Sequence, residues 1–213
     1  GSGSVNASAT MLFTVQNGGT IVPGGNSGSG TLIMNVLKFG SVAGDTASVN
    51  FMNSGTPSRL NVTAANGLSA TGGANSVTVN VSGAAPTLGT HTLIDYVGTI
   101  GGTGSGAFQL GTLPVRVNAA SLVHNAANTS FDLNVTSIDF PIWTGARSNE
   151  WSNTILASPK NWVLNSNNAT TTDFLANDNA TFTDIATRTT VDISVTDVVP
   201  NSVTFNNTTK NFT

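Results

Sequence analysis

The sequence predicts an all-β fold, and three observations predict it. Short segments alternate apolar and polar residues with a period of two, as expected for a strand with one buried face. Clusters of Gly, Asn and Ser, which form turns, separate these segments. No segment of ten or more residues keeps a helical period. A chain of 213 residues is long enough to bury a core if strands cover most of it.

Strand candidates extend along the whole chain. In chain order they are MLFTVQ (11–16), TLIMNVL (31–37), ASVNFM (47–52), RLNVT (59–63), SVTVNVS (76–82), HTLIDYV (91–97), AFQLGTL (107–113), SFDLNVT (130–136), ATFTD (180–184), TTVDISV (189–195) and SVTFNN (202–207). In SVTVNVS the alternation places Val77, Val79 and Val81 on one face. The same pattern recurs through Phe131, Leu133 and Val135 in SFDLNVT, and through Val191, Ile193 and Val195 in TTVDISV.

Turns rich in Gly and Asn recur between the strand candidates without long loops. They include NGG (17–19), PGGNSGSG (23–30), NSGTP (53–57), ATGGAN (70–75) and GGTGSG (101–106). This pattern favours a β-solenoid, in which each short strand stacks on the coil below, with about 20 residues per coil. Asn and Thr side chains at the corners can then hydrogen-bond their counterparts in neighbouring coils. Because no strict repeat period is visible, a β-sandwich is the alternative.

Charge and composition limit which partners and which cellular location are expected for the protein. Seven Lys and Arg against ten Asp and Glu give a net charge of −3, too weak to attract nucleic acid or an anionic membrane. The chain has no Cys, so its stability must come from packing and backbone ladders. Large secreted domains stabilised in this way, without disulfides, are common on bacterial surfaces. We therefore expect an extracellular or bacterial cell-surface location. No stretch approaches the roughly 18 apolar residues of a membrane-spanning helix, so no transmembrane segment is expected.

Residues that serve acid–base catalysis are scarce. The chain has two His, and only 8% of its residues are charged. His91 and Asp95 lie four residues apart on a predicted strand, which separates them by about 13 Å, too far for a direct hydrogen bond. His124 in SLVH has no carboxylate near it in the sequence. We therefore expect no catalytic residues and no enzymatic activity.

Calcium is the one cofactor for which the sequence offers ligands. Asp173, Asp178 and Asp184 flank or lie within the loop FLANDNATFT (174–183), which supplies the carboxylate and amide oxygens that Ca²⁺ prefers. Their spacing matches no known calcium loop, and Asp178 with its Asn neighbours also suits Asx-turns between strands. The prediction is that no cofactor is bound, with calcium at these three aspartates as the alternative.

Two parts of the sequence resemble a known family. GTHTLIDYVGTIGGTGSGAFQLGTLPVRVNAASLVHNAANTSFDLNV (89–135) resembles the end of the recurring module of bacterial proteins with autotransporter-associated β-strand repeats. The segments FPIWTGARSNEWSN, NWVLN, DNATFTD and SVTFNNTTKNFT look like the start of the next module, with Trp143, Trp151 and Trp162 at its W-x-G, W and N-W positions. The resemblance covers roughly residues 85–213, and NGGTIVPGGNSGSGTL (17–32) looks like the Gly-rich repeat itself.

This resemblance implies a secreted or surface-displayed right-handed parallel β-helix used for adhesion, matrix building or cell-surface coating. It brings no catalytic residues. Residues 1–137 are expected to form coils that end one module, and residues 138–213 to begin the next, continuous with the first. We expect an internal part of a longer protein, or a subunit whose open ends are covered by neighbours. Uncovered strand edges pair readily, so head-to-tail assembly into a fibre is one hypothesis. The alternative is that the caps of the terminal coils lie in sequence outside this segment.

The three Trp side chains allow two roles. Large rings fill space at a module junction, whereas exposed aromatic faces stack on sugar rings. Junction packing is the expected role of Trp143, Trp151 and Trp162, and glycan contact is the alternative. The predicted function is a non-enzymatic structural or adhesive fibre segment whose partners are its own copies or neighbouring modules. The alternative is a carbohydrate-binding module, with or without calcium, that binds a polysaccharide.

Overall fold

A computed structural model describes residues 12–24 and 30–213, and the fold is all-β, as predicted. Within these residues the one helical element is a short 3₁₀ helix, Gly104–Ala107. Met11 of the predicted first strand and residues 25–29 of the predicted turn PGGNSGSG lie outside the described ranges. The chain divides into two compact units, Gly1–Ile138 and Asp139–Thr213. This boundary falls next to the predicted module boundary, and the assignment to repeat modules stays a prediction.

Within the described residues, the first unit contains three sheets. Its strands are β1 (Leu12–Val15), β2 (Gly19–Ile21), β3 (Thr31–Met34), β4 (Val36–Phe39), β5 (Ala47–Asn53), β6 (Arg59–Ala65), β7 (Leu68–Ala70), β8 (Val77–Gly83), β9 (Gly89–Val97), β10 (Gly101–Gly102), β11 (Phe108–Leu110), β12 (Val117–Asn125) and β13 (Ser130–Ile138). The sheets have the orders β1-β4-β7-β10, β2-β5-β8-β11 and β3-β6-β9-β13-β12. From β1 to β11 every third strand pairs, always in parallel. The hairpin β12–β13 is antiparallel and joins the edge of β9.

Paired strands of the first unit match in alternation and in burial. Val49 lies beside Val79 and Phe51 beside Val81, and all four side chains are buried. Each buried apolar side chain of this size contributes about 1.5–3 kcal/mol through removal from water. The predicted inward faces are confirmed for SVTVNVS and SFDLNVT, whose buried members are Val77, Val79, Val81, Phe131, Leu133 and Val135.

The spacing between paired strands is longer than predicted. Thr20 and Ser48 hydrogen-bond across adjacent strands 28 residues apart in the chain, and Asn50 and Asn80 do so across 30 residues. The predicted spacing of about 20 residues is therefore wrong for this unit. The reason is that each return to the same sheet includes three strands and the turns between them.

The second unit contains one sheet. Its strands are β14 (Pro141–Trp143), β15 (Trp162–Leu164), β16 (Thr171–Thr172), β17 (Asn179–Thr183) and β18 (Ser202–Asn206), in the order β16-β15-β14-β17-β18. The ladder β14–β17–β18 is parallel, whereas β15 and β16 are antiparallel to their neighbours. A separate parallel bridge joins Glu150 and Asp192.

Two predicted strands differ from the observed ones. TTVDISV (189–195) is not a strand, since only Asp192 forms a bridge and both Ile193 and Val195 are exposed. TLIMNVL is divided into β3 and β4 at Asn35, whose carbonyl accepts a hydrogen bond from the Ala64 amide. Within residues 12–24 and 30–213, no helix has the length and apolar character needed to cross a membrane.

Candidate functional site

The two histidines are held by groups other than carboxylates. His91 Nε2 lies 2.7 Å from the Thr87 carbonyl oxygen, while Asp95 pairs with Arg59 at 2.5 Å. His124 Nε2 lies 2.6 Å from the hydroxyl of Tyr96, and burial raises the pKa of that tyrosine. Neither contact is the imidazole–carboxylate pair that activates a nucleophile in acyl-transfer enzymes.

A shallow polar groove of about 400 Å³ lies beside the Arg59–Asp95 ion pair. It is lined by Gly30, Thr31, Thr56, Pro57, Arg59, His91 and Thr92. The Arg59 side chain is half exposed and already bonded to Asp95. Such a surface can hydrogen-bond a polar ligand, but its lining offers no nucleophile held against a general base.

The three predicted calcium ligands each bond to groups of the protein. Asp173 forms an ion pair with Lys160 and accepts a hydrogen bond from the Leu156 amide at 2.9 Å. Asp178 is buried and accepts a hydrogen bond at 2.8 Å from the amide of Leu175, three residues before it in the chain. Across the described part of the chain, no three His, Cys, Asp or Glu side chains come together as a metal site. Calcium binding stays a prediction, for which an altered melting temperature in chelator is the test.

Asp184 fastens the turn that follows β18. Its carboxylate accepts hydrogen bonds from the Thr208 amide and hydroxyl and from the amides of Thr209 and Lys210, at 2.8–3.0 Å. The backbone bonds from Thr208 and Thr209 hold the pKa of Asp184 well below its ordinary value. The carboxylate is therefore a structural clamp that joins the end of β17 to the turn after β18.

Replacing Asp184 with Asn should lower the melting temperature in a pH-dependent way. The folded-state pKa is depressed, so the stabilisation is complete above the ordinary Asp value of 3.8 and disappears as pH falls through the folded-state pKa. The difference in melting temperature between wild type and Asp184→Asn should be constant near neutral pH and shrink below about pH 4. Scanning calorimetry from neutral to acidic pH measures it. Asp197 is exposed, so Asp197→Asn is the control. An equal fall in melting temperature in both variants would show that the Asp184 carboxylate does not stabilise the turn after β18.

The three tryptophans lie in the core of the second unit. Trp143, Trp151 and Trp162 are each more than nine-tenths buried, and Trp162 contacts the other two rings with centroids 5.1 and 5.5 Å away. Trp143 Nε1 donates to the Arg188 carbonyl at 2.8 Å. A sugar ring stacks on an exposed aromatic face, so this burial favours packing over glycan contact. Both roles stay predictions.

Asn161, which immediately precedes Trp162, is a central polar residue that the sequence reasoning missed. It is fully buried, and its Oδ1 accepts hydrogen bonds from the amides of Arg147 and Ser148 at 2.9 and 2.8 Å. Its Nδ2 donates to Ser148 Oγ and to the Glu150 carbonyl. One side chain thus holds the loop between Gly145 and Trp151 in place. The N-W pair of Asn161 and Trp162 was the signal available in the sequence, but a role was predicted only for Trp162.

A repeated hydrogen-bond motif links neighbouring strands of the parallel ladders. In each case the side-chain oxygen of an Asn or Asp accepts hydrogen bonds from both the amide and the hydroxyl of one Thr, which lies close to the neighbouring strand of the same parallel ladder. The pairs are Asn17–Thr46, Asn66–Thr99, Asn80–Thr112 and Asp184–Thr208. We name this motif the corner clasp. In every pair the Thr lies one residue beyond the position aligned with the Asn or Asp.

In two of the four clasps the residue before the Thr is a glycine, which leaves room for the clasp oxygen. Gly98 and Gly111 precede Thr99 and Thr112, and a Cβ at Gly111 would lie 2.1 Å from Asn80 Oδ1. The Gly-Thr pairs after HTLIDYV and AFQL were visible in the sequence as turn signals. Their role emerges only when the aligned Asn in the preceding strand is known.

Replacing Gly111 with Ala should break one clasp. The new methyl group would displace the Asn80 side chain, and the loss of its bonds to Thr112 should lower the free energy of unfolding by about 1 kcal/mol. Guanidinium denaturation followed by far-UV circular dichroism measures it. Gly106→Ala is the matched control, because a Cβ there meets no atom within 4 Å. Equal stability of the two variants would contradict the clasp.

Several strands of the parallel ladders have one edge without a partner. In the described part of the chain, β1, β2 and β3 each end a sheet of the first unit, and β18 ends the sheet of the second. All five residues of β18 are exposed, among them Val203 and Phe205. Such an edge presents amide and carbonyl groups that can pair with another strand.

Comparisons with protein-family models, with curated proteins and with solved structures find no match to the chain.

Proposed function

We propose that this chain is a β-solenoid segment, a right-handed parallel β-helix, of a non-enzymatic structural or adhesive protein on a bacterial cell surface or in an extracellular matrix. Its role is to form a rod or fibre that displays surface or assembles with copies of itself. The resemblance to autotransporter-associated repeat proteins belongs to the same proposal.

The observation that carries the proposal is the corner clasp between successive strand turns. The same donor pair and the same acceptor recur at Asn17–Thr46, Asn66–Thr99 and Asn80–Thr112, about 30 residues apart each time. Repeated contacts of one kind between neighbouring strands of parallel ladders are what stacked, nearly equivalent turns of a solenoid produce. In an antiparallel sandwich, neighbouring strands are commonly joined by hairpins, whereas here the strands from β1 to β11 pair in parallel with every third strand.

Stacking also explains the unusual composition. A solenoid uses polar side chains in ladders, such as Asn50–Asn80 at 2.8 Å and Thr20–Ser48 at 2.8 Å, so polar residues support the fold. The hydrogen bonds that link counterparts in adjacent strands were predicted from the sequence. Charged residues are rare because ladder hydrogen bonds stabilise the stack and like charges in register would repel.

Electron microscopy of the purified protein tests this function. Negative-stain images should show rods, or filaments at higher protein concentration, and a glycan array should show no binding. Compact particles that bind a polysaccharide would contradict the proposal and favour a carbohydrate-binding module. The groove beside Arg59 is then the place to test first, with Arg59→Ala compared with Arg147→Ala outside the groove.

A further inference from the structure

Two of the corner clasps contain the dipeptide Asn-Gly, in which asparagine readily loses its side-chain amide. Asn17 is followed by Gly18 and Asn66 by Gly67, and these are the two Asn-Gly pairs of the chain. Asparagine is a thermolabile residue in proteins, and a following glycine has no side chain to shield its backbone nitrogen. Both asparagines are exposed, so water reaches them.

Loss of the amide proceeds through a cyclic succinimide. The backbone nitrogen of the glycine gives up its proton and forms a bond to the Cγ atom of the asparagine. The bond between Cγ and Nδ2 then breaks, and the amide nitrogen takes up the proton and leaves as ammonia. Water opens the succinimide at either carbonyl group, which yields aspartate or isoaspartate. The reaction therefore needs a free glycine nitrogen and a Cγ atom that turns toward it.

At the first pair, Thr46 holds both reacting groups. The amide and the hydroxyl of Thr46 donate to Asn17 Oδ1 at 2.9 and 3.4 Å. The amide of Gly18 donates to the Thr46 carbonyl oxygen at 2.7 Å. Ring closure would break these hydrogen bonds, because the Asn17 side chain must turn toward Gly18 and the Gly18 nitrogen must lose its proton.

At the second pair, two residues share this role. The amide and the hydroxyl of Thr99 donate to Asn66 Oδ1 at 2.8 and 2.9 Å. The amide of Gly67 donates to the Ala64 carbonyl oxygen at 3.0 Å, and Gly67 itself is buried. The nucleophile and the electrophile of this pair are therefore also held by separate hydrogen bonds.

The fold requires glycine after both asparagines. Gly18 has a φ of 73°, a conformation that other residues rarely adopt. A Cβ atom on Gly67 would lie 2.7 Å from the Asn35 carbonyl oxygen. The reactive dipeptide is thus part of the backbone geometry at both corners, and protection has to come from the contacts around it.

The clasp of Asp184 shows which reaction product the motif accommodates. Its carboxylate accepts hydrogen bonds from the amide and the hydroxyl of Thr208, as an asparagine oxygen does in the other clasps. Aspartate formed from Asn17 or Asn66 would keep such an acceptor in place. Isoaspartate would instead add a methylene group to the backbone and disturb the register of the ladder.

We propose that Asn17 and Asn66 are deamidation sites and that the corner clasp keeps both amides intact in the folded chain. Each amide is lost when its clasp opens, because opening frees the Cγ atom and the glycine nitrogen together. Local opening of the ladder is then recorded permanently as an acid in place of an amide.

Incubation at mildly alkaline pH, followed by peptide mass spectrometry, measures the loss of each amide separately. In the chain unfolded with guanidinium, Asn17 and Asn66 should deamidate at similar rates. In the folded wild type both rates should be lower by at least about tenfold, since two or more hydrogen bonds must break before the ring closes. Equal rates in the folded and unfolded chains would overturn the inference.

Thr99→Val tests the clasp itself, because it removes one of the two donors to Asn66 and keeps the shape of the side chain. It should raise the rate at Asn66 several-fold, up to about tenfold, and leave the other Asn-Gly pair unchanged. The matched control is Thr112→Val, which removes the same donor from the clasp of Asn80, where the next residue is a valine. The control should change neither Asn-Gly pair.

The remaining outcomes decide between the clasp and a general loosening of the fold. An unchanged rate at Asn66 in Thr99→Val overturns the inference. So does a rate that rises equally at Asn17, or that rises at Asn66 in Thr112→Val, because either result shows loosening that is not local. If Thr99→Val does not fold, Thr46→Val provides the same test at Asn17.

Discussion

Replacing Trp162 with Ala should reduce the free energy of unfolding of the second unit by about 3–5 kcal/mol. The ring lies between Trp143 and Phe174, with centroids 5.1 and 5.5 Å away, and is 2% exposed. Removing it opens a cavity whose lining consists of rigid rings that cannot collapse into it. Guanidinium denaturation followed by the fluorescence of the two remaining tryptophans measures the loss, and all three Trp of the chain belong to this unit.

Trp162→Phe is the matched control, because it keeps an aromatic ring in the same place and removes less volume. It should lose clearly less stability than Trp162→Ala. If both variants unfold at the denaturant concentration of the wild type, the aromatic cluster does not stabilise the unit.

Replacing Asn161 with Ala should cost about 2–4 kcal/mol, more than most polar substitutions. The change leaves the amides of Arg147 and Ser148, which bond to Asn161 Oδ1, without that acceptor in a fully buried setting. It also removes the donor to the Glu150 carbonyl. The loop that carries Trp151 should loosen first, which amide hydrogen exchange of residues 145–151 detects before global unfolding.

The exposed Asn149 in the same loop provides the control. Asn149→Ala should leave stability and hydrogen exchange close to wild type, since surface substitutions usually change stability by less than about 0.5 kcal/mol. Similar losses in Asn149→Ala and Asn161→Ala would show that the loop is sensitive to any change rather than fixed by one side chain.

The strands could be predicted where alternation and burial agree. Val77, Val79 and Val81 face the core as the period of two requires, and a local pattern suffices to find them. TTVDISV has the same alternation but fails, because Asp192 Oδ1 accepts a hydrogen bond from the Ser194 amide and bends the chain into an Asx-turn.

Contacts between distant residues could not be read from the sequence. The clasp joins residues 24 to 33 positions apart, and this separation varies too much for a repeat period to stand out. Asn66 and Thr99 therefore look like ordinary turn residues until the strands are aligned. The three aspartates were grouped by closeness in sequence, whereas in the structure Asp173 bonds to Lys160 and Asp184 to the turn after β18.

The hairpin β12–β13 has a consequence for how this architecture changes in length. Each parallel strand from β4 to β8 receives the same kind of partner on both sides, so a set of three can be duplicated or deleted while its neighbours keep equivalent bonds. The antiparallel hairpin breaks that equivalence in its sheet, because β12 presents an edge that runs opposite to β13. A set of three parallel strands inserted before the hairpin would therefore leave the antiparallel end of this sheet unchanged.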